Sequence, residues 1–230
     1  MRFLVVVFCM VFGMAAYAEE ERRQMSVSAF GTVSAEPDMA RIQIGVQSLG
    51  MTAADVLKEN SAKMQAILDL LSAEGVANKD VQTTQFGISP QWDRRKNTSP
   101  DNPPQIVGYA VNNSVNVRVR ELPKLGAILD KVTGFGANSI GAIQFDVSNR
   151  AELLDQARVA AVKTAKARAE MLAAAADVEL GDLLFLNEGQ ASFPRPVMAR
   201  AEASFAADAV PIAQGELDIR ASVTLTYELE

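Results

Sequence analysis

The sequence predicts an α+β fold: mixed, mostly antiparallel sheets packed against three helices. Several segments alternate apolar and polar residues over six or more positions, which gives a sheet one buried and one wetter face. Such alternation fits antiparallel or mixed sheets, whereas a doubly wound parallel core uses continuous apolar strands. Three segments with helical spacing separate these strands, and two of them end on glycine.

The chain opens with a positive Met1–Arg2, an apolar run from Phe3 to Phe12, and Ala16-Tyr17-Ala18 followed by Glu19, Glu20 and Glu21. This is the pattern of a cleaved signal peptide over 1–18. The uncharged stretch from Phe3 to Ala18 is shorter than the about 20 residues that span a bilayer. Residues 19–25 read as a flexible N-terminus and 26–230 as the folded part, one domain or two subdomains.

A strand containing Val27 and Val33 comes first. A turn at Glu36-Pro37-Asp38 is expected to join it as a hairpin to the strand from Arg41 to Gln47, in which Ile42, Ile44 and Val46 share a face. The first helix starts at the N-cap Thr52, with Asp55 in its first turn. It buries Val56, Leu57, Asn60, Met64, Ile67, Leu68 and Leu71 and stops at Gly75. A weaker strand surrounds Phe86 and Ile88. The polar segment 92–104, with Pro100, Pro103 and Pro104, reads as an exposed loop.

Val115, Val117 and Val119 mark the next strand. A short helix then opens at Leu122-Pro123, turns Leu125, Ile128, Leu129 and Val132 inward and stops at Gly134 and Gly136. Weak strand signals follow at Ile143 and Phe145. The third helix, from about Asn149 to Asp177, is alanine-rich, and Leu153, Ala157, Ala160, Thr164, Ala167, Met171 and Ala174 form its expected apolar stripe. Leu183 and Phe185 give a further weak strand, and 191–209, with Pro194 and Pro196, reads as a long loop. The last strand alternates Ile219, Ala221, Val223, Leu225 and Tyr227 with polar residues. A faint repeat matches Ala66-Ile67-Leu68-Asp69 before Gly75 to Ala127-Ile128-Leu129-Asp130 before Gly136, each followed by a strand with Gln-Phe.

Composition removes much chemistry. The chain has no histidine, so Ser-His-Asp and Cys-His systems and histidine metal sites are excluded. Its one cysteine, Cys9, lies in the expected signal peptide, which excludes disulfide frameworks and thiol peroxidase chemistry after processing. A net charge of −6 argues against nucleic-acid binding. No S-x-x-K motif, calcium loop or phosphate-binding glycine pattern occurs, so no catalytic residue, metal ligand or cofactor is assigned. Carboxylates such as Glu152 with Asp155, or Asp177 with Glu179, fit solvated helix faces. The dispersed methionines fit core packing. The candidate interface residues are Trp92 with the basic run Arg94 and Arg95 on one loop, and Phe193 on the other.

The order of several short blocks resembles the SIMPL-domain family, the YggE-like proteins of the bacterial envelope that include periplasmic immunogenic antigens. The blocks are Gly31 with Ala35-Glu36-Pro37-Asp38, Asn60, Gly75-Val76, Lys79-Asp80-Val81-Gln82-Thr83, Ser89-Pro90 and Gly108-Tyr109. They continue through Asn113, Val117, Val119-Arg120, Gly136-Ala137-Asn138, Phe145, Ala157-Arg158, Ala161, Ala167, Ala169, Gly181, Pro211-Ile212 and Gly215-Glu216. The resemblance implies paired strand–helix units, export to the periplasm, homo-oligomers and a link to envelope or oxidative stress, with no catalytic residue to carry over.

The resulting expectation is a non-enzymatic periplasmic protein acting through self-assembly or contacts with an envelope partner, without nucleic acid or a membrane span after processing. The alternatives are a carboxylate-based hydrolase and a channel-like assembly at the outer membrane. Too few long strands are present for a closed barrel from one chain.

Overall fold

The computed structural model describes residues 23–93, 104–189 and 210–230, with the backbone alone of 192–197. Nine strands and three α-helices run in the order β1 (Gln24–Ala35), β2 (Met39–Gly50), α1 (Ala53–Ala73), β3 (Val81–Trp92), β4 (Ile106–Val119), α2 (Leu125–Gly134), β5 (Ser139–Ile140), β6 (Gln144–Asp146), α3 (Arg150–Ala175), β7 (Leu180–Glu188), β8 (Ser192–Val197) and β9 (Glu216–Leu229). They form two antiparallel sheets. Sheet A has the order β1-β9-β7, with β8 continuing along β9 beyond β7, and sheet B has the order β3-β4-β2-β5, with β6 also on β2. The fold is α+β, as the alternating segments predict.

The expected hairpin at Glu36-Pro37-Asp38 is absent. β1 pairs with β9 over its whole length, from Gln24↔Glu228 to Ala35↔Leu217, whereas β2 lies between β4 and the β5–β6 side. With both edges of β2 occupied, β1 finds its edge in the other sheet, and the turn becomes a crossing between sheets. The Asp38 carboxylate fixes this crossing by accepting from the Ser148 N–H and hydroxyl, while the Asp38 N–H donates to the Asp146 carbonyl.

Sheet B is covered by α1 and α2. The Thr52 hydroxyl caps α1 by accepting from the Asp55 N–H, and Val56, Asn60, Met64, Ile67 and Leu71 are buried. Leu125, Ile128, Leu129 and Val132 of α2 join the same core as Ile42, Ile44, Val115 and Val117. Both helices end alike, with glycines at positive φ (Gly75 +89°, Gly136 +103°) and N–H groups folding back to carbonyls of the last turn. The faint repeat thus coincides with two helices that share one sheet and one terminating device.

Sheet A is covered by α3, whose buried stripe differs from the expected one. Leu153, Ala157, Ala161, Ala165, Ala169 and Ala173 face the sheet, and Met171, which belongs to the expected stripe, is 58% exposed. A row at i+4 runs obliquely around a helix axis, and alanine on several faces leaves little apolar contrast to reveal which row is used. Gly31 explains the close packing. A Cβ there would lie 2.0 Å from the Ala157 carbonyl oxygen and 2.3 Å from the Ala161 nitrogen. Backbone thus rests on backbone.

The segment expected as a loop over 191–209 contains β8, which pairs with β9 from Ser192↔Arg220 to Val197↔Glu216. Its two prolines mask it in the sequence, yet prolines are tolerated on an edge strand. A small core of Val147, Leu153, Leu217 and Ile219 joins the sheets, and Ile212 packs on the sheet B core.

Candidate interaction site

β3 and β4 make a long arm. Neither strand holds a charged residue except Arg118, and β4 residues before Tyr109 extend beyond the last β2 partner, Gly50. Apolar side chains are left open along the arm: Phe86 at 57% exposure and Trp92 at 47%, with Ile88, Ile106 and Val107. Leu49 and Met51, at the adjoining end of β2, are exposed too. Gly108 lets this end close up, since a Cβ there would meet the Gly50 carbonyl oxygen at 2.8 Å. Phe86 and Ile88, two residues apart on β3 and opposite Asn113 and Val111, share one face of the sheet, and exposed apolar surface of this kind marks contact sites more often than isolated exposed residues do.

The other end of sheet B is charged. Arg41 and Arg118 stand directly opposite each other on β2 and β4, an unfavourable like-charge pair. Carboxylates flank them on both sides. Asp146 meets Arg41 at 3.1 Å and Arg150 at 2.8 Å, while Asp80 accepts two bonds of 2.8 Å from Arg120 and one of 3.4 Å from Arg118. The bonds from Arg120 are the main cause holding the Asp80 carboxyl below the ordinary range. Burial opposes them, and the charges of Arg120, Arg118 and Lys79 add to them. Arg120 is raised in turn, first by the hydrogen bond to Asp80.

A cleft of about 230 Å³ adjoins this row, lined among others by Gly75, Val76, Lys79, Asp80, Arg118 and Lys124. Its charges are largely paired, for Lys124 meets Glu121 at 2.8 Å and Lys131 meets Glu74 at 2.6 Å. The two buried carboxylates among the described residues, Asp80 and Asp146, are thus each committed to arginines. Asp155 is also paired, with Arg158, whose pKa is raised by the hydrogen bonds it donates to Glu188 first and Asp155 second. Among the described residues, no group of three or more metal-ligating side chains converges.

Of the four expected interface residues, Trp92 lies at the end of β3, within a strand instead of a loop. Arg94 and Arg95 fall outside the described residues, as do 1–22. Phe193 lies on β8 in the other sheet, so Trp92 and Phe193 belong to different elements. The residues that accompany Trp92 are Phe86, Ile88, Ile106 and Val107. Only the first two had a strand signal, and no charged residue interrupts 81–92.

The family model described as "SIMPL: Protein of unknown function (DUF541)" matches residues 25–227. The 26 kDa periplasmic immunogenic protein of Brucella melitensis is 31% identical over 239 residues, covering 99% of this chain and 95% of that protein. YggE of Escherichia coli K12 is 26% identical over 220 residues, covering 95% and 86%, and YggE of Edwardsiella ictaluri is 27% identical over 189 residues, covering 80% and 77%. Among the described residues no helix is long and apolar enough to cross a membrane. With the model spanning both sheets and all three helices, this chain belongs to the SIMPL family.

Proposed function

We propose that this is an exported envelope protein that works by self-assembly and protein contact rather than by turnover. The observation that carries this reading is the arm of β3 and β4, uncharged but for Arg118 at its far end, with its exposed Phe86, Ile88, Trp92, Ile106 and Val107. The printed name of the Brucella relative, a periplasmic protein, supports the compartment, as does the signal-like start of this chain. A role in envelope or oxidative stress tolerance rests on the family resemblance. Without a thiol after processing, such protection would act through envelope integrity or a partner. Channel-like assembly at the outer membrane is one form this mode of action can take.

Light scattering on the purified protein at tens of micromolar tests the reading. The expected result is a mass of several protomers, and Trp92→Ser shifts the distribution toward the protomer without altering the circular dichroism spectrum. A strict monomer at that concentration contradicts it.

A further inference from the structure

Sheet edges expose unpaired main-chain groups, and proteins blunt them with charge, short strands, bulges or proline. Two edges here are blunted along most of their length, while β1, which like β3 has 12 residues and no charge, has its Ser28 carbonyl taken by the Arg168 guanidinium at 2.7 Å. The β7–β8 edge carries Asp182, Glu188 and Arg195 and several register shifts. β5 and β6 have two and three residues. The fourth edge, β3, has 12 residues and no charge. Its devices lie outside one window, Gln85 to Ser89: register shifts between Thr83 and Gln85 and between Gln91 and Trp92, and Pro90.

The register shows which groups of that window face outward. The Gln47 N–H and C=O bond the Asn138 side chain, so they point away from β4. Neighbouring Ser48 must then face its partner Val111 on β4, and Val111 in turn points away from its β3 partner, Ile88. Ile88, and Phe86 two residues earlier, therefore present their N–H and C=O groups to the open edge. Pro90 occupies the next outward position, where a missing N–H costs no bond within the chain.

Gly87 is the second observation. Every other strand glycine (Gly31, Gly45, Gly50, Gly108, Gly181) has another part of the chain within 3.2 Å of where a Cβ would lie, but Gly87 has nothing within 4 Å. Nothing within the described protomer calls for glycine there. Glycine inside a strand often marks the close approach of another backbone.

We propose that β3 pairs antiparallel with β3 of a second copy about a two-fold axis through Gly87. This rests on the assembly reading above and specifies its contact. The window from Gln85 to Ser89 overlaps itself fully only about Gly87. In that register Phe86 exchanges both main-chain bonds with Ile88 of the second copy, and Ile88 does so with Phe86, giving four hydrogen bonds. Their side chains meet as aromatic–β-branched cross-strand pairs. The absence of charge from Val81 to Trp92 favours a second copy as occupant, because two chains of net charge −6 meet there without like charges in register.

The test uses the full chain in a Cys9→Ser background, which otherwise holds no thiol. The self-pair at position 87 is of the non-hydrogen-bonded type, with Cα atoms about 4.5 Å apart, within disulfide range. Gly87→Cys is expected to give a covalent dimer on mild oxidation. Gly134→Cys, equally uncrowded at the end of α2, is expected to stay uncoupled. Gly87→Lys has room in the protomer and is expected to raise the concentration for half-dissociation at least tenfold with an unchanged circular dichroism spectrum. If Trp92→Ser dissociates the assembly while Gly87→Cys fails to couple and Gly87→Lys changes nothing, edge pairing is overturned and the assembly reading stands. A wild-type monomer at every concentration overturns both.

Discussion

Single residues set the closest contacts in this chain. Gly31 lies under backbone atoms of α3 that cannot rotate away, so Gly31→Ala must lift the helix from β1. The expected cost is about 3 kcal/mol, read as a lower urea midpoint with an unchanged slope. Asp177 shows the opposite case. It sits at φ +54° just past the end of α3, where the Val178 N–H returns to the Ala173 carbonyl. Asp177→Gly removes a strain of about 1 kcal/mol, and a rise in melting temperature is expected. These two positions differ in how far the sequence reveals them. Gly31 stands among alternating strand residues, and its role depends on Ala157 and Ala161, more than a hundred positions away. Asp177 falls at the expected helix end, but an aspartate gives no sign of positive φ.

At the scale of elements, legibility followed the size of the buried side chains. α1 and α2 bury Ile, Leu, Val and Met at helical spacing, and their caps and stripes could be read directly. α3 buries alanine, and the expected stripe drifted from the true row after Ala157. The β1–β9 pairing joins residues about two hundred positions apart, which no local pattern reports, and the short turn after β1 suggested a nearer partner. The charged row was equally hidden, because Arg41, Asp80, Arg118 and Asp146 come from four separate segments. Its contribution can be measured through pH. The Asp80 carboxyl titrates lower in the folded state than in the unfolded chain, so its stabilisation is complete above the unfolded value of about 4. It is lost as pH falls through the folded value. Asp80→Asn is expected to cost about 2 kcal/mol at neutral pH and to flatten the decline in stability below pH 4. Equal acid sensitivity in both proteins would contradict this role.

The whole molecule divides its surface unevenly. One end of sheet B is locked by arginines and carboxylates, and the other projects an uncharged arm with exposed aromatic and aliphatic side chains. The sequence pointed to part of that arm through Trp92 alone, since the strand signal at Phe86 and Ile88 was weak and Ile106 and Val107 gave none. Assembly through the arm is the central claim, and it is most directly tested by sedimentation velocity over a dilution series of the wild-type protein and Trp92→Ser. The account predicts a multi-protomer species for wild type that shifts toward the protomer on dilution, with Trp92→Ser dissociating at concentrations at least tenfold higher. A single protomer peak for wild type throughout, or identical series for the two proteins, would contradict it.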